Sequence, residues 1–207
     1  PLMPLRFTKM HGAGNDFVVL DCRNGEALPE AAVIARMAYR HTGIGFDQLL
    51  ILEAPRSADA VAAYRILNQD GSSAQQCGNG ARCVAHWLVL HEATAAAEFV
   101  LDSPAGRMQV QRSDAGYCVD MGPPSFDPVG IPLQAEREAP FYPFDFQGKI
   151  WPFSAASMGN PHALFIVEAV DSAPVLVLGA ALQGSGRFPE GVNVGFAEIV
   201  DRSRIRL

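Results

Sequence analysis

From Ala81 to His91 the chain is apolar on nearly every side, with Val84, Ala85, Trp87, Leu88, Val89 and Leu90 in quick succession. A helix with no polar face has to be enclosed by protein, so the neighbouring segments must supply a wall around it. Those neighbours are short runs bounded by turn residues, at 5–10, 17–22, 48–53, 62–67, 98–101, 107–112 and 117–121. Most alternate or are rich in Val, Ile and Phe, which reads as strands. A second helix is predicted over 29–41, where Pro29 suits a first turn and Val33, Ile34, Met37 and Ala38 share one face. The fold class expected is α/β (α+β), with sheet wrapped around a central helix.

Between 122 and 152 the texture changes, because Pro123, Pro124, Pro128, Pro132, Pro140, Pro143 and Pro152 punctuate it. A domain boundary is placed at its start, giving domains 1–121 and 122–207. Strands are expected again at 162–167, 192–200 and 202–207, with a helix over 175–183. In the last of these, Arg202, Arg204 and Arg206 alternate with Ser203, Ile205 and Leu207 and the pattern stops on an apolar residue. Either a strand cut short or an edge strand at a natural terminus would look like this.

A formal charge of -6 leaves no electrostatic footprint for a phosphate backbone, so nucleic acid is not an expected partner. The apolar stretches near 163–170 and 175–182 are cut by Glu168, Asp171 and Pro174 and fall short of the roughly 20 residues that span a bilayer. No apolar signal core follows Arg6, Lys9 and His11. A soluble cytoplasmic protein without a membrane partner is the expectation. Four cysteines are too few for a disulfide scaffold in a chain of 207 residues.

Familiar motifs fail on their spacing. Each Gly-x-Gly (Gly12/Gly14, Gly43/Gly45, Gly184/Gly186) lacks the third glycine of a dinucleotide fingerprint, its place taken by Phe17, Gln48 and Pro189. His91-Glu92 is followed by Ala95 where a zinc-protease helix needs its second His. Ser157 is a near miss to a nucleophile elbow, but no His follows His162 to complete a triad. Cys77 and Cys83 are not spaced as metal ligands, and no metal is expected.

What remains is the polar run from Asn68 to Cys83, in which Cys77 stands directly before Gly78-Asn79-Gly80 and the apolar helix. Helix N-termini bind carboxylates and favour thiolates, so a thiol placed there can act as a base near neutral pH. Lone cysteines are usually packed structural residues. Glycines and amides give Cys77 little apolar cover, whereas Cys83, inside the helix, fits that ordinary role. Asn15, Gln48, Asn160 and Asn193 also lie in or beside glycine-containing turns. Singly each reads as a turn residue; together they suit a small zwitterion, because an amide can meet both ammonium and carboxylate.

The runs 7–21, 43–50, 68–83, 157–162 and 187–193 together resemble diaminopimelate epimerase, in order, over essentially the whole chain. Gln76-Cys77-Gly78-Asn79-Gly80-Ala81-Arg82-Cys83 is the most specific stretch. The resemblance implies interconversion of LL- and meso-diaminopimelate without pyridoxal phosphate or any other cofactor, a step in making lysine and cell wall. It implies two pseudo-symmetric domains, each a curved sheet around a central helix, with substrate in the cleft between them. By position, Cys77 matches one of two catalytic cysteines and His162 lies near that pair. Asn15, Gln48, Asn68, Gly78, Asn79, Asn160 and Asn193 match substrate-binding positions. A homodimer is compatible with it.

The family continues with a Glu-Arg-Gly-x-Gly-Glu-Thr segment and a second Cys, and neither follows Leu207. The expectation is therefore a fragment whose second domain lacks its central helix and which does not epimerise alone. Two other readings stay open: a related cofactor-independent racemase or isomerase, and a non-catalytic amino-acid-binding module.

Overall fold

The computed structural model describes residues 5–207, which divide into two compact units, one reaching to Gly122 and the other Pro123–Leu207. The first contains β1 (Thr8–Gly12), β2 (Asn15–Asp21), α1 (Ala31–Ala38), β3 (Gln48–Glu53), β4 (Ala60–Asn68), β5 (Ser73–Ala74), α2 (Gly78–Leu90), β6 (Glu98–Ser103), β7 (Gly106–Ser113) and β8 (Gly116–Val119). Its 8-stranded sheet runs β1-β2-β3-β4-β6-β7-β8, with β5 paired to β4. Strands β2 and β3 pair in parallel, as do β4 and β6; the other neighbours are antiparallel.

Helix α2 touches β1 at one end of this order and β8 at the other, so the sheet curls around it. Both faces are covered, and β2 and β3 therefore read as unbroken apolar runs. Phe17, Val19, Leu50 and Leu52 point to α2, while Val18, Leu20, Leu49 and Ile51 pack beneath Ile34 and Ala38 of α1. The enclosure is not complete. His86 and Leu90 face solvent, and the buried side of α2 is Ala81, Cys83, Val84, Ala85, Trp87 and Leu88.

The second unit contains β9 (Tyr142–Phe146), β10 (Lys149–Ser157), β11 (Pro161–Val167), α3 (Val175–Gln183), β12 (Asn193–Asp201) and β13 (Arg204–Arg206), in the sheet order β13-β12-β11-β10-β9. Strands β11 and β12 pair in parallel across α3. Leu178 and Leu182 of α3 pack on Phe144, Phe153, Phe165 and Phe196. The opposite face carries Ser154, Ala156, His162, Leu164, Gly195 and Ile205 in a groove of about 720 Å³.

Two strands were not foreseen, and one expected strand is shorter. The proline-rich segment contains two strands, β9 and β10, whose prolines Pro143 and Pro152 face each other. Neither can donate, so the two must occupy a non-hydrogen-bonded pair; Pro143 lies on the edge strand, and pairing of β10 to β11 begins only at Phe153. At the end of the chain, Arg202 and Ser203 form the turn of a β12–β13 hairpin, held by the Ser203 N–H and hydroxyl on Asp201, and only Arg204–Arg206 is strand. Among the described residues no helix is long and apolar enough to cross a membrane.

Leu88 is fully buried and Leu90 is 59% exposed. Leu88→Ala is expected to lower the unfolding free energy by about 3 kcal/mol, against at most about 0.5 kcal/mol for Leu90→Ala. Urea titrations of the two variants check this, and equal losses would contradict the one-sided burial of α2.

Candidate active site

Cys77 is the N-cap of α2, in extended conformation, and its Sγ accepts the Gly80 backbone N–H at 3.3 Å. The N–H groups of Gly78 and Asn79, at the start of the first turn, have no acceptor within the helix. A sulfur in this position meets the positive end of the helix. Gly80 sits close against β3: a Cβ there would stand 3.1 Å from Leu50 Cδ2, a tight contact, and 3.5 Å from Phe17 Cε1 and Cys77 Sγ, ordinary ones. Cys83 is buried in the core, and burial, then the proximity of Cys77, pushes its thiol up to about 11. It stays protonated at neutral pH and is no base.

The sheet delivers the amides to the same end. A two-residue turn, Ala13-Gly14, with both residues at positive φ, brings β1 back as β2 and starts it at Asn15. Gln48 opens β3 opposite Phe17, and Asn68 closes β4 opposite Gln48. Gln48 Nε2 donates to Asn68 Oδ1 at 3.3 Å. Asn79 Nδ2 donates to Asn15 Oδ1 at 2.7 Å, and Arg82 donates to Asn79 Oδ1.

Next to these amides lies an ion-pair cluster that the sequence reading missed. The Arg40 guanidinium holds both oxygens of Asp16 (2.9 and 2.7 Å) and one of Asp47 (2.8 Å), and Lys9 pairs with Asp16 at 2.7 Å. Each aspartate also accepts the other's backbone N–H. The clasp thus joins the residues adjoining Asn15 and Gln48. Arg40, and then Lys9, hold the Asp16 carboxyl well below its ordinary value, against the opposing effect of burial.

In the second unit, Asn160, His162 and Asn193 form a group of their own. Asn193 pairs with His162 in the β11–β12 ladder, and its Nδ2 donates to the Pro161 carbonyl at 3.3 Å. His162 Nδ1 lies 3.0 Å from the Asn160 carbonyl, which can only accept, so Nδ1 carries the proton and Nε2 is left for other partners. The group repeats the first unit by register. Gly14-Asn15 precedes Phe17, the partner of Gln48, and Gly159-Asn160 precedes His162, the partner of Asn193.

With this geometry in place, the relatives decide the family. The family described as Diaminopimelate epimerase matches residues 7–127. The diaminopimelate epimerase of Xanthomonas campestris pv. campestris is 58% identical over 206 residues, covering 98% of this chain and 72% of the relative. The chain belongs to the diaminopimelate epimerase family. The diaminopimelate epimerase of Xylella fastidiosa strain M12 is 51% identical, with 99% and 72% covered. Among solved structures, the fold is similar to a probable proline racemase from Agrobacterium radiobacter K84 (TM-score 0.68, 18% identity, 98% of this chain and 69% of that one). It is also similar to a hydroxyproline epimerase from Agrobacterium vitis (TM-score 0.64, 16% identity, 87% and 59%). At these identities the solved structures speak for the fold.

Two outcomes are expected. Gly80→Ala should lower the unfolding free energy by about 1 kcal/mol, because the added methyl meets the buried Leu50 Cδ2 at 3.1 Å, whereas its 3.5 Å approach to Cys77 Sγ is ordinary contact; a variant as stable as the parent in urea titrations would contradict the crowding. Asp16→Asn should cost about 1 kcal/mol near pH 6, a small value because the pairs are partly exposed and screened. A depressed folded pKa contributes stability above the ordinary value of 3.8 that is lost as pH falls. The gap between the parent and Asp16→Asn should therefore begin to narrow as pH falls below 3.8 and close only below the depressed folded value; urea titrations should find it smaller at pH 3 than at pH 6, and a constant gap would count against the ion pairs.

Proposed function

We propose that the protein interconverts LL- and meso-diaminopimelate and that Cys77 exchanges a proton with the substrate's α-carbon. The observation that carries this is one sulfur, capped by a backbone N–H at the N-terminus of a sheet-enclosed helix, with four uncharged amides at the same sheet end. Membership of the family and the names of its relatives support the substrate.

The chemistry sets the demands. Taking the α-proton leaves a carbanion with only its own carboxylate to spread the charge, so the site must stabilise negative charge with fixed dipoles. The free N–H groups of Gly78 and Asn79 are placed to hold that carboxylate. Cys77 as thiolate takes the proton in one direction and as thiol returns it in the other. Inversion needs a second acid/base on the opposite face of the carbon. Cys22 follows the end of β2, Cys83 is packed inside α2 and Cys118 lies within β8, so none of them heads a helix as Cys77 does. Asn15, Gln48, Asn68 and Asn79 bind the zwitterion's polar groups. Asn160 and Asn193 are assigned to substrate binding as well, and His162, with Nε2 free, to assisting proton transfer.

Cytoplasmic residence belongs to this proposal, since a reducing compartment keeps the Cys77 thiol free. A homodimer is its proposed assembly.

The test is α-hydrogen exchange of diaminopimelate in D2O, followed by NMR, with the whole protein. Cys77→Ser should lower the rate about 10²- to 10⁴-fold, and substrate should protect Cys77 from alkylation. Near-parental exchange by Cys77→Ser would overturn the role of Cys77. Turnover of proline but not diaminopimelate would overturn the substrate.

A further inference from the structure

Two charged residues with no assigned part in the reaction fix which way the amides of the first unit face. Arg82 has only donors to offer. Because it donates to Asn79 Oδ1, Asn79 must turn Nδ2 away from it, and that Nδ2 donates to Asn15 Oδ1 at 2.7 Å. The NH2 of Asn15 has no acceptor among the described residues.

A second relay runs in the opposite sense. The Asp70 carboxylate only accepts; it takes the Ser72 hydroxyl proton at 2.6 Å and the Ser72 backbone N–H at 2.9 Å. With its proton committed, Ser72 Oγ accepts from Asn68 Nδ2 at 3.1 Å. Asn68 then offers Oδ1 to Gln48 Nε2 at 3.3 Å. Gln48 thus turns its nitrogen toward Asn68, and what it presents at this end is the carbonyl Oε1, with one N–H of each amide still uncommitted.

We infer that Arg82 and Asp70 are positioning residues that polarise the half-site, Arg82 making Asn15 a donor for carboxylate and Asp70 making Gln48 an acceptor for ammonium. The inference rests on the reading that these amides bind diaminopimelate. The two ends of an amide are nearly the same size, so an unanchored amide turns over at little steric cost. Arg82 and Asp70 remove that freedom, each through an unbroken chain of hydrogen bonds. The two relays together let neutral side chains tell the two charged ends of an amino acid apart.

The experiment uses the whole protein, with Arg82→Met and Asp70→Ala, the conservative Arg82→Lys, and two competitive inhibitors that each lack one group: heptanedioate, without ammonium, and 1,5-diaminopentane, without carboxylate. Arg82→Met should raise the inhibition constant of heptanedioate about 10-fold and leave the diamine within about 2-fold, with recovery in Arg82→Lys; Asp70→Ala should do the reverse. In an Asn15→Ala background Arg82→Met should have no further effect, since it acts through Asn15. Equal shifts of both inhibitors in both variants, or a full Arg82 effect without Asn15, would overturn the inference. Side-chain amide exchange in the unmutated protein reads the orientation whatever the substrate: one N–H of Gln48 should be protected and both of Asn15 open. The opposite pattern refutes the relays, whereas the expected pattern without any diaminopimelate turnover refutes only the assigned function.

Discussion

The N-terminus of α2 lies against β2 and β3 at a distance that a single methyl group would disturb. Gly80 meets Leu50 and Phe17 there, and its N–H closes on Cys77 Sγ. The curl of the first sheet, with β1 and β8 both reaching α2, brings the helix down onto the strands. Because the strand ends and the helix start share this contact, Asn15, Gln48, Asn68, Asn79 and Cys77 come together without a long loop. The apolar packing of Phe17, Leu50, Val84 and Leu88 thereby fixes a polar site at its rim.

The second unit shows which parts of this arrangement the chain topology supplies and which are added. Strands β10 and β11, helix α3 and strand β12 repeat the course of β1, β2, α1 and β3, an antiparallel pair followed by a parallel one across a helix. Asn160 and Asn193 arrive at the positions of Asn15 and Gln48 by register alone. The positions of Asp16 and Asp47 are taken by Pro161 and Val192. The parallel ladder therefore forms without a charged clasp. In the first unit the Lys9–Asp16–Arg40–Asp47 cluster is an addition to the fold, next to two of the amides.

Periodicity revealed most of the strands of the first unit and both of its helices, because each buries a face or a stripe large enough to pattern the sequence. The same signal overstated α2. Its apolar residues are continuous, yet His86 and Leu90 reach solvent where the curled sheet stays open. Strands β9 and β10 were hidden by Pro143 and Pro152, since a proline pair is tolerated only where the ladder needs no donors, a property of register rather than composition. The Gln147-Gly148 turn, both residues at positive φ, was the sign of that hairpin.

The site was legible where its residues stand in one stretch. Cys77, Gly78 and Asn79 announce a helix start, and Arg82, three residues on, lies on the same helix face as Asn79. Asp70-Gly71-Ser72 has the spacing of a side-chain-closed turn. What periodicity could not give is the sense of each hydrogen bond, because Asn and Gln donate and accept equally well. That sense follows from residues able to do only one of the two, and once Arg82 and Asp70 are placed, the remaining amides have a single consistent arrangement. In a site whose proposed ligand is a zwitterion, the charged residues that matter to recognition can therefore lie one or more hydrogen bonds behind the neutral amides that meet it.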